Sequence, residues 1–286
     1  DLGRIEGYKN FCNKLWNASK YVLMNTEILR DGNTQFSVAD RWICARLNRT
    51  IELVHQHFAA YRFDLVAQVT YEFTWHEFCD WYLEFSKQVL QSEQSSDSEK
   101  NGTRQTLIQI LETLLRLLHP LIPFITEEIW QQLAPRAMVD GKTIMLRPFP
   151  HTVEEWQDDR AELEMHWIMQ FILGIRQIRG EMNISPGKPL PVLLQNASDD
   201  DRNLVVQHKT LLVKIGRAES VRLLTVDEEP PPSATALLGN MRVLVPLAGI
   251  IDIEAERTRL AKKQVILKIA LDKSHSKLDN SDFVNN

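Results

Sequence analysis

LIQILETLLRLLHPLIPFITEEIWQQL, residues Leu107–Leu133, decides how this chain folds. Leu or Ile fills eight of the twelve positions from Leu107 to Leu118, and the polar remainder (Gln109, Glu112, Thr113, Arg116) falls at 3–4 spacing as one narrow stripe. A helix apolar around most of its circumference must be enclosed by other helices. Pro120 ends it, and Pro123 suits the first turn of the next helix, where the missing N–H costs nothing. Ile125, Ile129 and Leu133 step by four and give that second helix a buried face of its own. This pair reads as the core of a bundle.

Outward from the pair, Arg4 to Met24 read as a helix whose inward stripe is Phe11, Leu15, Ala18 and Val22. Asn10, Lys14, Asn17 and Tyr21 line up along another side of it. Two amides, an ammonium and an aromatic ring in a row can hydrogen-bond to and stack on unpaired bases; an ordinary solvated face is the alternative reading. Asn25–Phe36 reads as a loop, and Ser37 with Asp40 as a capping box opening a helix through Phe58. Asp64 is expected to cap a third helix running to about Leu90, with Tyr71, Trp75, Phe78, Tyr82, Phe85 and Val89 as a core stripe. Ser92–Thr103 reads as a polar surface loop. Residues 1–150 are thus expected to form a helical bundle ending in the connector Pro135–Pro150.

The next block, 151–249, changes character. Glu154–Met182 is expected to be helical, with Ile168, Phe171, Ile172, Ile175 and Ile178 inside and Arg176 and Arg179 outside. Strands are expected at Leu190–Gln195 and Val221–Val226 around a helix Asp199–Ile215. A hairpin Ser233–Leu238, Met241–Leu247 turns on Gly239-Asn240, since such turns need positive φ. This predicts a small α+β domain, making the whole mainly α. Residues 250–286 hold a final helix from Asp252 to about Leu278. Ile253, Leu260, Leu267, Leu271 and Leu278 fit coiled-coil a and d positions, and seven Lys or Arg face one acid, Asp272, between Arg257 and Lys277. A helix this polar needs a partner for its seam, so half of a helical hairpin is expected to be missing.

Composition narrows the functions. An apolar fraction of 44% and a charged fraction of 25% suit a globular protein. A net charge of −5 gives no global reason to expect nucleic-acid binding, so local patches must carry any such claim. Cys12, Cys44 and Cys79 form no CxxC and are expected to be reduced thiols in a cytoplasmic protein. No apolar run approaches a membrane span. The missing initial Met and the polar end Asn285-Asn286 suggest a fragment. There is no Gly-rich phosphate loop, no G-x-S-x-G and no metal-spaced cluster; His76-Glu77 starts an HExxH that fails at Asp80. His55 and His57 point to different faces, and His119 is expected to cap the last carbonyls of its helix. The residues alone suggest a binding assembly without catalysis.

HPLIPFITEEIW resembles the helix junction in the anticodon-binding bundle of class I aminoacyl-tRNA synthetases of the Val/Ile/Leu/Met group. NFCNKLWNASKYVLMNTE, YEFTWHEFCDWYLE and EMNISPGKPL resemble the valyl branch, with the isoleucyl branch the nearest confusable relative. DIEAERTRLAKKQ…SKLDNSDFVNN is similar to the first helix of the C-terminal coiled coil of bacterial valyl enzymes. The resemblance implies a tRNA-binding region, with tRNA(Val) as partner and neither membrane nor DNA. It implies a monomeric parent ligase whose ATP and Mg belong to a catalytic domain bearing HIGH and KMSKS motifs, both absent here along with the editing domain. It makes Arg4, Asn10, Lys14, Asn17 and Tyr21 candidate anticodon readers, Tyr21 by stacking and Lys14 by bonding a base edge or a phosphate. Arg257, Arg259, Lys262, Lys263 and Lys268 become candidates for the outer corner of the tRNA, with Arg176, Arg179 and Lys188 as lesser phosphate candidates. A non-catalytic scaffold whose basic helix pairs with a protein partner is the competing reading.

Overall fold

The computed structural model describes residues 2–27, 32–225, 227–249 and 253–278, and at some of these, Arg4, Arg257, Arg259 and Lys263 among them, the backbone alone. The chain divides into two compact units, Asp1–Met169 and Gln170–Asn286.

The first unit holds α1 (Leu2–Asn25), α2 (Val38–Ala59), α3 (Phe63–Glu72), a π-helical segment (Phe73–Tyr82), α4 (Leu83–Leu90), α5 (Asp97–Leu118) and α6 (Pro123–Leu133). Leu107, Ile110, Leu111, Leu114, Leu115 and Leu117 of α5 are wholly buried, and Pro123 opens α6 as its first residue. His119 does not cap carbonyls as expected; its Nδ1 lies 2.9 Å from Thr126 Oγ1 and stitches the end of α5 to α6. The Ser37–Asp40 capping box is present, and Asp40 does more than cap. Buried beneath the helix start, its carboxylate also accepts from the Tyr82 hydroxyl at 2.7 Å and the Thr103 hydroxyl at 3.0 Å. Burial pushes its pKa up, against the pull of those donors.

Other expectations change in this unit. The polar run Ser92–Thr103 is mostly helix: Ser96 and Glu99 form a second capping box, and α5 begins at Asp97. Asn101, Gly102 and Thr103 are buried. A Cβ on Gly102 would stand 2.2 Å from the Gln35 carbonyl oxygen, so only glycine lets the loop before α2 cross there. Asp64 lies inside the first turn of α3 rather than capping it, and the Arg62 guanidinium beside it holds its carboxyl at about 2. The helix from Phe63 to Leu90 also contains ten residues of π-helix. Phe73, Thr74, Phe78 and Tyr82 face inward there, whereas Tyr71 is exposed and Trp75 only partly buried.

Helix α7 (Asp159–Glu181) starts in the first unit, where Arg49 bonds both Asp159 and Glu162, and ends in the second. The second unit continues with β1 (Leu190–Gln195), α8 (Asp199–Gly216), β2 (Ala218–Leu223), β3 (Ser233–Leu238), β4 (Met241–Pro246) and α9 (Ile253–Leu278). The sheet order is β2-β1-β4-β3, with β1 parallel to β2 across α8 and antiparallel to β4. Strand β2 starts at Ala218, three residues before the expected Val221, because Arg217 closes α8 with a left-handed turn at φ 50°. Gly239, at φ +58°, makes the β3–β4 turn. Phe171, Ile172, Ile175 and Ile178 are wholly buried as expected, and Leu193, Leu224 and Leu244 pack together on the sheet. Arg179, expected outside, is buried. The mainly α architecture, bundle then small α+β part then terminal helix, is the one the sequence predicts. None of the described helices is long and apolar enough to cross a membrane.

Candidate nucleic-acid interface

Helix α1 buries Leu15, Ala18 and Val22 in the bundle, while Phe11, expected to join them, is only partly covered. Its ring stacks on Tyr71 at 5.4 Å between centroids, and Tyr71 stacks in turn on Trp75 at 5.6 Å. Lys14, one turn along α1 from Phe11, places its ammonium 3.7 Å from the Trp75 ring centroid and 2.5 Å from Asp80 Oδ1. The other carboxylate oxygen of Asp80 lies 3.3 Å from His76 Nδ1. A cation over an indole face adds ring attraction to the ion pair.

The other candidates on this helix divide by exposure. Asn10 and Asn17 stand in solvent. Tyr21 is partly buried: its hydroxyl lies 3.0 Å from Ser86 Oγ, the Lys87 ammonium sits 5.7 Å from its ring centroid, and burial pushes its pKa up. Thus Lys14 and Tyr21 both turn toward the helix Phe63–Leu90, each with its polar end already bonded. Arg4 falls outside the described side chains.

The π-helical segment fixes this arrangement. Its Glu77 is held from behind by Arg46, whose Nε and Nη2 donate at 2.9 and 2.7 Å. An α-helix turns once in 3.6 residues and would put Trp75 and Asp80, five apart, about 140° from each other. The i→i+5 pattern of a π-helix widens each turn and brings residues five apart nearly into line. That is how one ammonium touches both. Tyr71, Trp75, His76 and Asp80 are the residues beside the α1 candidates that sequence reasoning did not single out. It assigned the two rings to the core and the other two to a broken metal motif, and the α-helical period it assumed hides a π-turn.

The remaining candidates lie apart. On α9, Lys262 and Lys268 are exposed, while Arg257, Arg259 and Lys263 fall outside the described side chains. The Arg179 guanidinium, offered as a phosphate contact, instead donates to the carbonyl oxygens of Ser185, Lys188 and Arg217 at 3.1, 2.7 and 2.9 Å. It holds the Ser185–Lys188 loop against the end of α8. Arg176 and Lys188 are exposed. Burial pushes the Cys44 and Cys79 thiols up to about 12, which keeps both protonated and unreactive at neutral pH. Among the described residues no group of three His, Cys, Asp or Glu side chains is placed to hold a metal ion.

The chain is 45% identical over 287 aligned positions to the valine–tRNA ligases of Legionella pneumophila strains Lens, Paris and Philadelphia 1. Those alignments cover 99% of this chain and 31% of each relative, so the chain spans about a third of their length. The family described as the anticodon-binding domain of tRNA ligase matches residues 40–194, from the first turn of α2 to the end of β1. With more than half of its residues inside that match, the chain belongs to the family of anticodon-binding domains of tRNA ligases.

Proposed function

We propose that this chain is the tRNA-binding part of a valine–tRNA ligase and that it recognises the anticodon of tRNA(Val). The observation that carries this reading is the row Asn10, Lys14, Asn17 and Tyr21 along one side of α1, flanked by the rings of Tyr71 and Trp75, in a chain of the anticodon-binding family. Amide and ammonium groups beside aromatic faces suit unpaired loop bases, which can be splayed out and stacked. Residues 1–150 would supply the reader, 151–249 a connecting domain, and 250–286 an arm whose Arg257, Arg259, Lys262, Lys263 and Lys268 meet phosphates. Ligation of valine, with its ATP and magnesium, is the work of the parent enzyme, and none of that chemistry is assigned to residues of this chain.

The test is equilibrium binding to tRNA(Val) beside a copy altered at the middle anticodon base, at two salt concentrations. The native tRNA should win by roughly 1–3 kcal/mol, the scale of one good bidentate base contact, and Lys14→Ala or Tyr21→Ala should erase the preference. Equal binding that salt abolishes would mean phosphate contact alone. One observation favours a second reading, a scaffold for a helical protein partner. Val265, Ile266, Leu267, Ile269 and Leu271 of α9 are each more than half exposed, an apolar surface that a second helix would cover. Salt-insensitive association without RNA would bring that reading forward.

A further inference from the structure

Resting on the tRNA-binding reading above, we propose that Arg217, with Lys188 and Lys214 near it, holds a phosphate of the RNA backbone at the end of the second unit where α7 and α8 finish. Helix α8 ends in a left-handed turn, and the residue in that turn is Arg217 at φ 50°. Glycine is the usual residue there, because a Cβ crowds the backbone in this conformation. A glycine stands next door but serves another need. A Cβ on Gly216 would lie 3.1 Å from Ile175 Cδ1, so α8 uses that glycine to pack on α7. The strained place is left to an arginine, and strain of this kind persists where neighbours over-determine it, often at binding sites.

The backbone around Arg217 is held from several sides. Its carbonyl accepts from Arg179 Nη2 at 2.9 Å and from the Leu190 N–H at 3.4 Å, and its own N–H reaches the Val213 and Lys214 carbonyls. Arg179 is thus a positioning residue, a buried cation that fixes the turn carrying an exposed one. Its pKa is held down by burial and by the charge of Arg217, so the fold keeps two like charges close together. Among the described residues no carboxylate pairs with either guanidinium; every bond they make goes to a carbonyl, and that of Arg217 Nη1, to Pro186, is 3.4 Å long. The planar fork of Arg217 matches the oxygens of a phosphate. Charge sorting along the unit favours the same partner. Arg176, Arg179, Lys188, Lys214 and Arg217 gather where α7 and α8 finish and β1 and β2 begin, against Glu181 and Glu219. Two helix C-termini add about one negative charge between them, which still leaves this end positive. Asp199, Asp200 and Asp201 open α8, about 27 Å away at 1.5 Å per residue. Asp227, Glu228 and Glu229 follow β2 at that far end. A unit so polarised, in a chain of net charge −5, offers a polyanion one end only. Lys188 Nζ also reaches the Gly249 carbonyl at 3.4 Å, four residues before α9 opens at Ile253. The positive end therefore adjoins the root of the basic helix in the chain.

The experiment measures binding of the full chain to tRNA(Val), and to a copy altered at the middle anticodon base, across a salt series, with urea unfolding of each variant. Arg217→Gly should bind both tRNAs about three- to tenfold more weakly at low salt, and its slope of log affinity against log salt should shrink by about one. Its urea midpoint should match or exceed that of the unaltered chain, since glycine relieves the turn. Arg217→Lys keeps the charge and should bind within about twofold of the unaltered chain. Arg222→Gln removes one charge at the acidic end, where Arg222 pairs with Glu228 at 2.8 Å, and should also stay within about twofold. Weakening shared by Arg222→Gln would mean that net charge alone is felt, and overturns the site. Undiminished binding by Arg217→Gly overturns it as well, while leaving the tRNA-binding reading in place. A fall in the urea midpoint of Arg217→Gly would make Arg217 a structural residue and remove the argument from strain, which sinks the site too. If the unaltered chain binds neither tRNA, the tRNA-binding reading falls and takes this proposal with it.

Discussion

The first unit contains the same three chemical groups twice. On α5 and α6, Glu112 accepts from Arg116 Nε at 3.0 Å and Nη2 at 2.7 Å, and from the Trp130 indole N–H at 3.1 Å. On the surface, Asp80 accepts from Lys14 beside Trp75. Each is a carboxylate, a cation and an indole. Glu112 is buried and Trp130 has no exposed surface, and Arg116 Nη1 also donates to the Pro148 carbonyl at 2.9 Å. In the first set the carboxylate and the guanidinium line a cleft of about 680 Å³, and each of the three nitrogens of the guanidinium donates at least once. The second is open, and its cation is a lysine, a point charge with no rigid fork to commit it. Burial and the choice of cation separate a structural cluster from one free to meet a ligand.

The sharpest way to break that contrast is Glu112→Ala. It would strand a largely buried guanidinium and leave the Trp130 N–H without an acceptor, and removing one partner of a buried pair costs about 3–5 kcal/mol. Urea unfolding should show a loss of that size. A loss below about 1 kcal/mol would mean that Glu112 is no better placed than Asp80, and the comparison would collapse.

A smaller effect is expected at the buried Asp40. Tyr82→Phe removes its hydroxyl donor, and a hydrogen bond to a charged group is worth about 1.5–3 kcal/mol. The sign with pH follows from the raised pKa of Asp40. In the folded chain it holds its proton to higher pH than an unfolded aspartate, whose pKa is about 3.9. Its contribution to stability is therefore full below that value and is lost as pH rises through the folded pKa. The hydroxyl serves the charged form, so the gap between the unaltered chain and Tyr82→Phe should widen as pH rises through the same window. Paired urea titrations from pH 4 to 7 would read it, and a gap constant with pH would put the Asp40 proton elsewhere.

What the sequence could say tracks how far each element obeys one period. The α5–α6 pair was legible because Leu and Ile crowd it and Pro120 and Pro123 punctuate it. Ser37 and Asp40 were read as a capping box because an apolar run follows at once. Ser96 and Glu99 have the same spacing, yet were read as loop because Asn101, Gly102 and Thr103 look solvated; their burial depends on the loop before α2, which only tertiary structure supplies. The candidate row on α1 was legible as a face, but not which members would be bonded. The groups packed beside that row are hidden for a sharper reason. Spacings of three and four describe an α-helix, and Tyr71 and Trp75 fit that stripe well enough to be placed in the core. Tyr71 ends up exposed on α3, and the ten residues of wider turn that follow leave Trp75 only partly buried and bring Asp80 beside Lys14.

The smallest expected effect sharpens the contrast from the other side. Asp80→Asn removes an ion pair whose side chains are 25% and 44% exposed. Exposed pairs contribute about 0–1 kcal/mol, because water and side-chain entropy cancel most of the attraction. The ammonium would keep its place over Trp75, where ring attraction alone is worth about 0.5–1 kcal/mol at such a site. Thermal unfolding of Asp80→Asn should therefore differ from that of the unaltered chain by less than about 1 kcal/mol. A larger loss would make Asp80 a structural partner like Glu112, and any change in base preference on replacing it would then have to be read as damage to the fold. A small loss leaves a carboxylate, a lysine and an indole, brought together by a rare helical turn, that add almost nothing to stability.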